Sequence, residues 1–180
     1  DYAEYEEIYN GNGTAEEIKA AAEALTKEVD DFLIGNASED NPMDMTSRFS
    51  SPSFDNGTTG WTTQRDSQRQ DNFGMQSAEK PTTDGKATFA NFFERWVAQP
   101  PQSNWSILQE VKDLPQGKYK LSAYVLTNND APQGAYLVAE GGAGEERQAI
   151  DQPGNVNGTP TAAPYEVEFT VINNSATIGL

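Results

Sequence analysis

Flat aromatic rings, and the carboxylates and amides near them, are the side chains of this sequence best placed to do chemistry. Three Trp, seven Tyr and eight Phe are distributed over 180 residues that contain neither Cys nor His. Lack of Cys removes disulfides, thiolate nucleophiles and Cys-based zinc sites, and lack of His removes the commonest general base and metal ligand. Stacking and hydrogen bonding remain. A sugar ring presents an apolar C–H face fringed by hydroxyls, so a site for it needs an exposed flat aromatic with amide or carboxylate partners around it. Trp96, Trp105 and Tyr124 are the candidate platforms, with Asn91, Glu94, Arg95 and Gln109 as their hydrogen-bonding neighbours.

Each candidate has a plainer reading beside it. Trp61, directly after Gly60, reads first as core packing. Trp96 and Trp105 divide evenly between exposed platform and core cap, Trp105 standing after the Pro100-Pro101-Gln102-Ser103 stretch as a ring at a loop tip. Tyr124 falls on the polar face of an alternating strand, where a tyrosine needs no functional reason. Solvated strand faces are the default for Asn91, Glu94, Arg95 and Gln109. Glu94, Glu110, Glu166 and Glu168 have the chemistry for glycoside hydrolysis, but nothing in their spacing fixes two carboxylates across a pocket, so no enzyme is expected. Gly141-Gly142-Ala143-Gly144 lacks the Lys and the following helical pattern of a phosphate cradle and reads as a hairpin loop.

Charge narrows the partners. The net charge is −16, and the first 44 residues carry 13 acidic and 2 basic side chains, a net of −11 that leaves −5 for the rest. Phosphate backbones require clustered Lys and Arg, so nucleic acid is not an expected partner, and anionic membranes are disfavoured too. No run reaches the roughly 20 apolar residues that span a bilayer. The chain opens on Asp1 with no signal-peptide pattern, which suggests a processed or trimmed product.

The elements that must position these side chains fall into three stretches. Thr14 with Glu17 forms a capping-box pattern, and Ile18, Ala21, Ala22, Leu25, Val29, Phe32 and Leu33 recur at helical spacing, predicting a helix over 14–34 stopped by Gly35. Tyr2, Tyr5, Ile8 and Tyr9 before a Gly11-Asn12-Gly13 turn are consistent with the end of a preceding helix. Residues 1–35 are then either the end of an upstream helical domain or a single helix docked on the strand-rich remainder of the chain. Residues 36–46 read as a linker. From 47 to 180 the pattern turns to strands: Tyr119, Leu121, Ala123 and Val125 alternate with Lys118, Lys120 and Ser122, and Tyr165, Val167, Phe169 and Val171 alternate with Glu166, Glu168 and Thr170. Shorter strands are predicted over 48–54, 60–64, 104–111, 135–139 and 176–180, between turn-rich segments such as 113–117 and 128–132. Residues 86–97 are ambiguous, because Phe89, Phe92, Phe93, Trp96 and Val97 fit helical spacing while their aromatic density suits a strand.

Ser51-Pro52-Ser53-Phe54-Asp55-Asn56-Gly57 followed by Gly60-Trp61, then Glu94-Arg95-Trp96, then Ile107-Leu108-Gln109-Glu110-Val111, Leu114-Pro115 and Gly117-Lys118-Tyr119 occur in this order. The series resembles the galactose-binding-like jelly rolls of carbohydrate-binding modules, in particular those of surface proteins of gut Bacteroidetes. It covers about residues 49–125. Ser51 and Asp55 stand where that family usually has Asn and Glu, and the family's closing strand would lie beyond Leu180.

The resemblance implies a strand over 86–97 and a mainly β protein, an antiparallel β-sandwich of jelly-roll type preceded by a short α-helical segment and short of its last strand. It also implies a non-catalytic glycan-binding module of a secreted or surface bacterial protein, attached to neighbouring domains, that works without a cofactor. Asp55 is the implied ligand of a structural calcium. The alternative is a structural or protein–protein interaction module of a larger multidomain protein.

Overall fold

The computed structural model describes residues 6, 10, 11, 13–66, 72–96, 104–127, 134–151, 155, 156 and 159–180. Tyr2, Tyr5, Ile8, Tyr9, Asn12, Val97 and residues 100–103 and 128–132 lie outside the described residues. The chain divides into two compact units, Asp1–Met45 and Thr46–Leu180.

The first unit is built on α1 (Ala15–Asn36). Thr14 caps it as the capping box requires: its Oγ1 accepts from Glu17 N at 3.3 Å, and its own N–H donates to Glu17 Oε2 at 2.8 Å. The Thr14 N–H first, and then the Thr14 hydroxyl, which donates to Glu17 Oε2 at 3.1 Å, hold the Glu17 carboxyl below its ordinary pKa. The helix runs past Gly35, which keeps a negative φ, and ends where the Asn36 side-chain amide donates to Phe32 O at 2.7 Å. Glycine therefore does not form the stop; the Ala37 N–H bonds Ile34 O and the Asn41 side-chain amide donates to Asn36 O, which satisfies two of the last four carbonyls. Ile18, Leu25, Val29, Phe32 and Leu33, the predicted apolar stripe, are exposed.

The second unit is a mainly β antiparallel sandwich. Its strands are β1 (Thr62–Arg65), β2 (Asn72–Pro81), β3 (Thr88–Trp96), β4 (Trp105–Lys112), β5 (Gly117–Val125), β6 (Tyr136–Glu140), β7 (Glu145–Ala149), β8 (Asn155–Val156), β9 (Thr159–Pro160), β10 (Ala163–Val171) and β11 (Ser175–Gly179). One sheet has the order β1-β4-β11-β6-β7, and three two-stranded ladders are β10-β5, β2-β3 and β8-β9. A parallel bridge between Thr82 and Ala162 ties the end of β2 to the approach to β10.

Period-two alternation builds the core. Tyr165, Val167, Phe169 and Val171 on β10 are buried and Glu166 and Glu168 exposed, as predicted. Ile107 and Val111 of β4, Leu137 and Ala139 of β6, and Ala176 and Ile178 of β11 form the other wall. Burying a side chain of the Leu137 or Ile178 type contributes about 1.5–3 kcal/mol, so these alternating rows are what hold the two layers together.

One local expectation fails, one ambiguity resolves, and four strands are new. Residues 48–54 are not a strand: a 3-10 turn over Thr46–Arg48 leads into successive turns, with Phe54 N bonding Ser51 O and Gly57 N bonding Phe54 O. Ser51 and Phe54 both take positive φ there, which a continuous ladder does not accommodate. The ambiguous 86–97 stretch is strand from Thr88 to Trp96, because its aromatics are shared between two faces of a hairpin rather than gathered on one. β2, β7, β8 and β9 were not anticipated at all. Gly141–Gly144 is the β6-β7 hairpin loop, as expected.

Candidate functional site

The β2-β3 hairpin sorts the candidate residues onto two faces. The register pairs Phe73 with Arg95, Met75 with Phe93 and Ser77 with Asn91 on one side, and Asn72 with Trp96, Gly74 with Glu94 and Gln76 with Phe92 on the other.

The first face looks into an aromatic cluster. Phe73 meets Phe93 edge-on with centroids 5.1 Å apart, and Phe54 lies 6.4 Å from Phe93 and 5.4 Å from Trp61. Trp105 joins through Phe73 at 6.5 Å. Trp105 is thus the first residue of β4, half-buried in this cluster, and not a ring at a loop tip. The Arg65 guanidinium caps the Phe73 ring at 5.2 Å. Arg95 sits on the same inward face, with Nε and Nη1 withdrawn from solvent. Asn91 accepts from Ser77 Oγ at 3.0 Å and donates to Asp55 Oδ1 at 3.3 Å.

Gln109 is also inward, on the buried row of β4. It is 3% exposed, with its amide bonded to the backbone of Ser50 through Oε1 at 2.7 Å and Nε2 at 2.9 Å. Trp61 Nε1 donates to Ser50 O at 3.0 Å. The motif that drew attention to Gln109 and Trp61 is therefore a clamp on the chain entering the sandwich, and Gln109 offers no group to a ligand.

Asp55 accepts from Ser53 Oγ at 2.6 Å and from Asn91, and these bonds, Ser53 first, lower its pKa. Calcium takes six to eight oxygens. Among the described residues no group of three or more acidic side chains gathers around Asp55 or elsewhere.

Tyr124, at the end of β5, belongs to a separate cluster beside the β2-β3 turn. Its hydroxyl donates to Asp84 Oδ2 at 3.0 Å, and its ring lies 5.4 Å from Phe89. Asp84 is pulled down to about 2, chiefly by the Thr82 hydroxyl against some loss of solvation, with help from Lys86 N–H, Tyr124 and the Lys86 ammonium 3.3 Å away. Burial, and then the Asp84 bond, push Tyr124 up. This is a turn lock.

The second face of the hairpin is half-exposed, with its open end at Asn72 and Trp96. Trp96 is 44% exposed, whereas Trp61 and Trp105 are half-buried in the cluster. One step along β3 lies Glu94, whose Oε2 accepts from Asn72 Nδ2 at 2.8 Å. Gln76 and Phe92 make the next row, with the Lys80 ammonium 5.7 Å from the Phe92 ring centroid. A flat indole thus stands about 7 Å, the same-face repeat of a strand, from a carboxylate–amide pair with acceptors and donors to spare.

Of the predicted site residues, the structure brings Trp96 and Glu94 together. It places Asn91, Arg95, Trp105 and Gln109 on the inward side and Tyr124 at the turn lock. Asn72, Gly74 and Gln76 were not anticipated. Phe73 and Met75 at i and i+2 were the available signal for their strand. Comparison of the chain with protein-family models, curated proteins and solved structures finds no match.

Proposed function

We propose that the second unit is a non-catalytic carbohydrate-binding module of a secreted or surface bacterial protein, and that the outer face of the β2-β3 hairpin is its binding surface. The observation that carries this reading is the exposed Trp96 beside the Asn72–Glu94 pair. The indole supplies the apolar face against which a sugar ring stacks, and the pair supplies the hydroxyl partners. The net charge of the chain favours a neutral glycan over an anionic one. Affinity electrophoresis of the intact chain and of Trp96→Ala through gels containing neutral polysaccharides tests it. Retardation of the wild type and not of Trp96→Ala is expected, and free migration of the wild type in every gel sinks the proposal.

A second reading, an interaction module of a larger protein, is favoured by one observation. The apolar stripe of α1 is exposed, with Phe32 at 70%. A helix whose Ile18, Leu25, Val29, Phe32 and Leu33 face water is short of the burial that normally stabilises an amphipathic helix. Replacement of Val29 and Phe32 by Ser would then abolish association with a partner domain, read by size-exclusion light scattering, and leave glycan retardation unchanged. Among the described residues no helix is long and apolar enough to cross a membrane.

A further inference from the structure

Gly74 sits inside β2, where glycine is costly. It brings no side chain to the sheet and loses more backbone freedom on folding than any other residue. Two local demands normally justify such a glycine: a positive φ, or neighbouring atoms that fill the space of a Cβ. Gly60 meets both, with φ 81° and Ser50 Cβ 2.3 Å from where its own Cβ would lie. Gly74 meets neither. Its φ is not positive, and nothing lies within 4 Å of a Cβ built on it.

The resulting gap is flanked on three sides of the open face and open along the outer edge of β2, which among the described residues pairs only with β3. Glu94 is directly opposite, Asn72 and Gln76 stand two residues away on the same strand, and Trp96 and Phe92 are the diagonal neighbours across the ladder. It is one side chain wide, has backbone for a floor, and lies between a stacking ring and a carboxylate.

We infer that the space over Gly74 is a sugar subsite, an inference that rests on the carbohydrate-binding reading and names the position that decides specificity within it. A ring stacked on Trp96 continues into a neighbouring sugar whose edge drops over Gly74. There Glu94 accepts from its hydroxyls, and the amides of Asn72 and Gln76 provide donors and acceptors. The glycan lies along the hairpin from Trp96 towards Phe92. Its class is a neutral, linear polysaccharide, because a uronate or sulfate placed over Gly74 would stand against the Glu94 carboxylate. Gly74 is a specificity determinant by what it leaves out.

The test compares wild type, Gly74→Ala, Gly74→Val and Trp96→Ala by affinity electrophoresis in galactomannan, arabinoxylan, xyloglucan and mixed-linkage β-glucan, with polygalacturonate as the anionic probe. Thermal melting is followed in parallel. Wild type is expected to be retarded by at least one neutral polymer and not by polygalacturonate. Gly74→Val should bind that polymer at least about tenfold more weakly while melting at the same temperature or higher, since a β-branched residue suits an exposed strand. Gly74→Ala should fall between. If Gly74→Val binds like wild type while Trp96→Ala does not, the subsite is wrong and the carbohydrate-binding reading stands. If wild type is retarded by none of the neutral polymers, both fall. Preference for polygalacturonate overturns the neutral class, and a lower melting temperature for Gly74→Val means that the glycine serves the fold and overturns the inference.

Discussion

The side-chain amide of Gln109 reads the backbone of Ser50 at two points, accepting from its N–H at 2.7 Å and donating to its carbonyl at 2.9 Å, across 59 residues of sequence. This ties the turn-rich segment before β1 to the buried row of β4. Gln109→Leu removes both bonds and is predicted to cost about 1–3 kcal/mol in urea unfolding. Gln109→Glu keeps an acceptor for Ser50 N, faces Ser50 O with a carboxylate and buries a charge, so it is predicted to cost more than Gln109→Leu.

The two tryptophans nearest the hairpin should separate by phenotype. Trp105→Ala empties part of the Phe73–Phe93–Phe54 cluster and is predicted to cost about 3 kcal/mol, the lower end for an aromatic truncation because the ring is half-buried. Trp96→Ala removes an exposed ring and should shift stability by no more than about 0.5 kcal/mol. Denaturant titrations of both variants check this, and a large loss for Trp96→Ala would place that ring among the packing residues.

Gly60 is where glycine is demanded by geometry. Its φ is 81°, and a Cβ there would sit 2.3 Å from Ser50 Cβ, next to the residue that Gln109 and Trp61 hold. Gly60→Ala is predicted to destabilise by more than about 1 kcal/mol and to change the near-ultraviolet circular dichroism of Trp61. A neutral Gly60→Ala would mean that the Ser50 segment moves aside at little cost.

The turn lock sets a pH dependence with a definite sign. The Asp84 carboxyl is held at about 2, first by Thr82 and then by Lys86 N–H, Tyr124 and the Lys86 ammonium, so in the folded chain it stays ionised below the ordinary aspartate range. The unfolded chain takes up that proton at higher pH than the folded chain does. The contribution of Asp84 is therefore fully present above about pH 4 and fades as the pH falls towards 2. Carboxyl carbon shifts in an NMR titration should show Asp84 as one of the last aspartates to protonate, and Asp84→Asn should remove its share of the acid sensitivity. An Asp84 midpoint in the ordinary range would mean that the lock is open in solution.

Much of the sandwich was legible because its core strands follow a simple rule. β5 and β10 each have one wet face and one dry face, so the alternation of Tyr165 to Val171 against Glu166 and Glu168 reports the sheet directly. The capping box of Thr14 was equally visible. β2 was not, because the described part of the β2-β3 hairpin is half-exposed on both faces and its sequence does not alternate cleanly beyond Met75. The strand expected over 48–54 failed for the opposite reason: Phe49 and Phe54 supply apolar character, but the backbone spends it on turns that Gln109 and Trp61 fasten. The candidate site was half legible. Trp96 and Glu94 stand out by type, but which of Asn91, Arg95 or Asn72 joins them depends on the register of a hairpin whose first strand gave little signal. The part proposed for Gly74 rests on what it lacks, and a missing side chain acquires meaning only when its neighbours are placed.

The way the β2-β3 hairpin is joined to the rest of its unit has a kinetic consequence. Among the described residues, its ladder contact with another strand is the Thr82–Ala162 bridge, flanked by the bonds of Thr83 N to Ala162 O and of Ala162 N to Pro81 O; elsewhere it is held by rings and by the side-chain bonds of Asn91 to Asp55 and of Tyr124 to Asp84. A ribbon secured this way opens on its own at lower free energy than the five-stranded sheet. Its amides should therefore exchange with deuterium ahead of those of β4 and β11, and a molecule that lies along its open face would slow them selectively. Protection gained at Asn72 to Gln76 would report an occupied surface before the occupant had been identified.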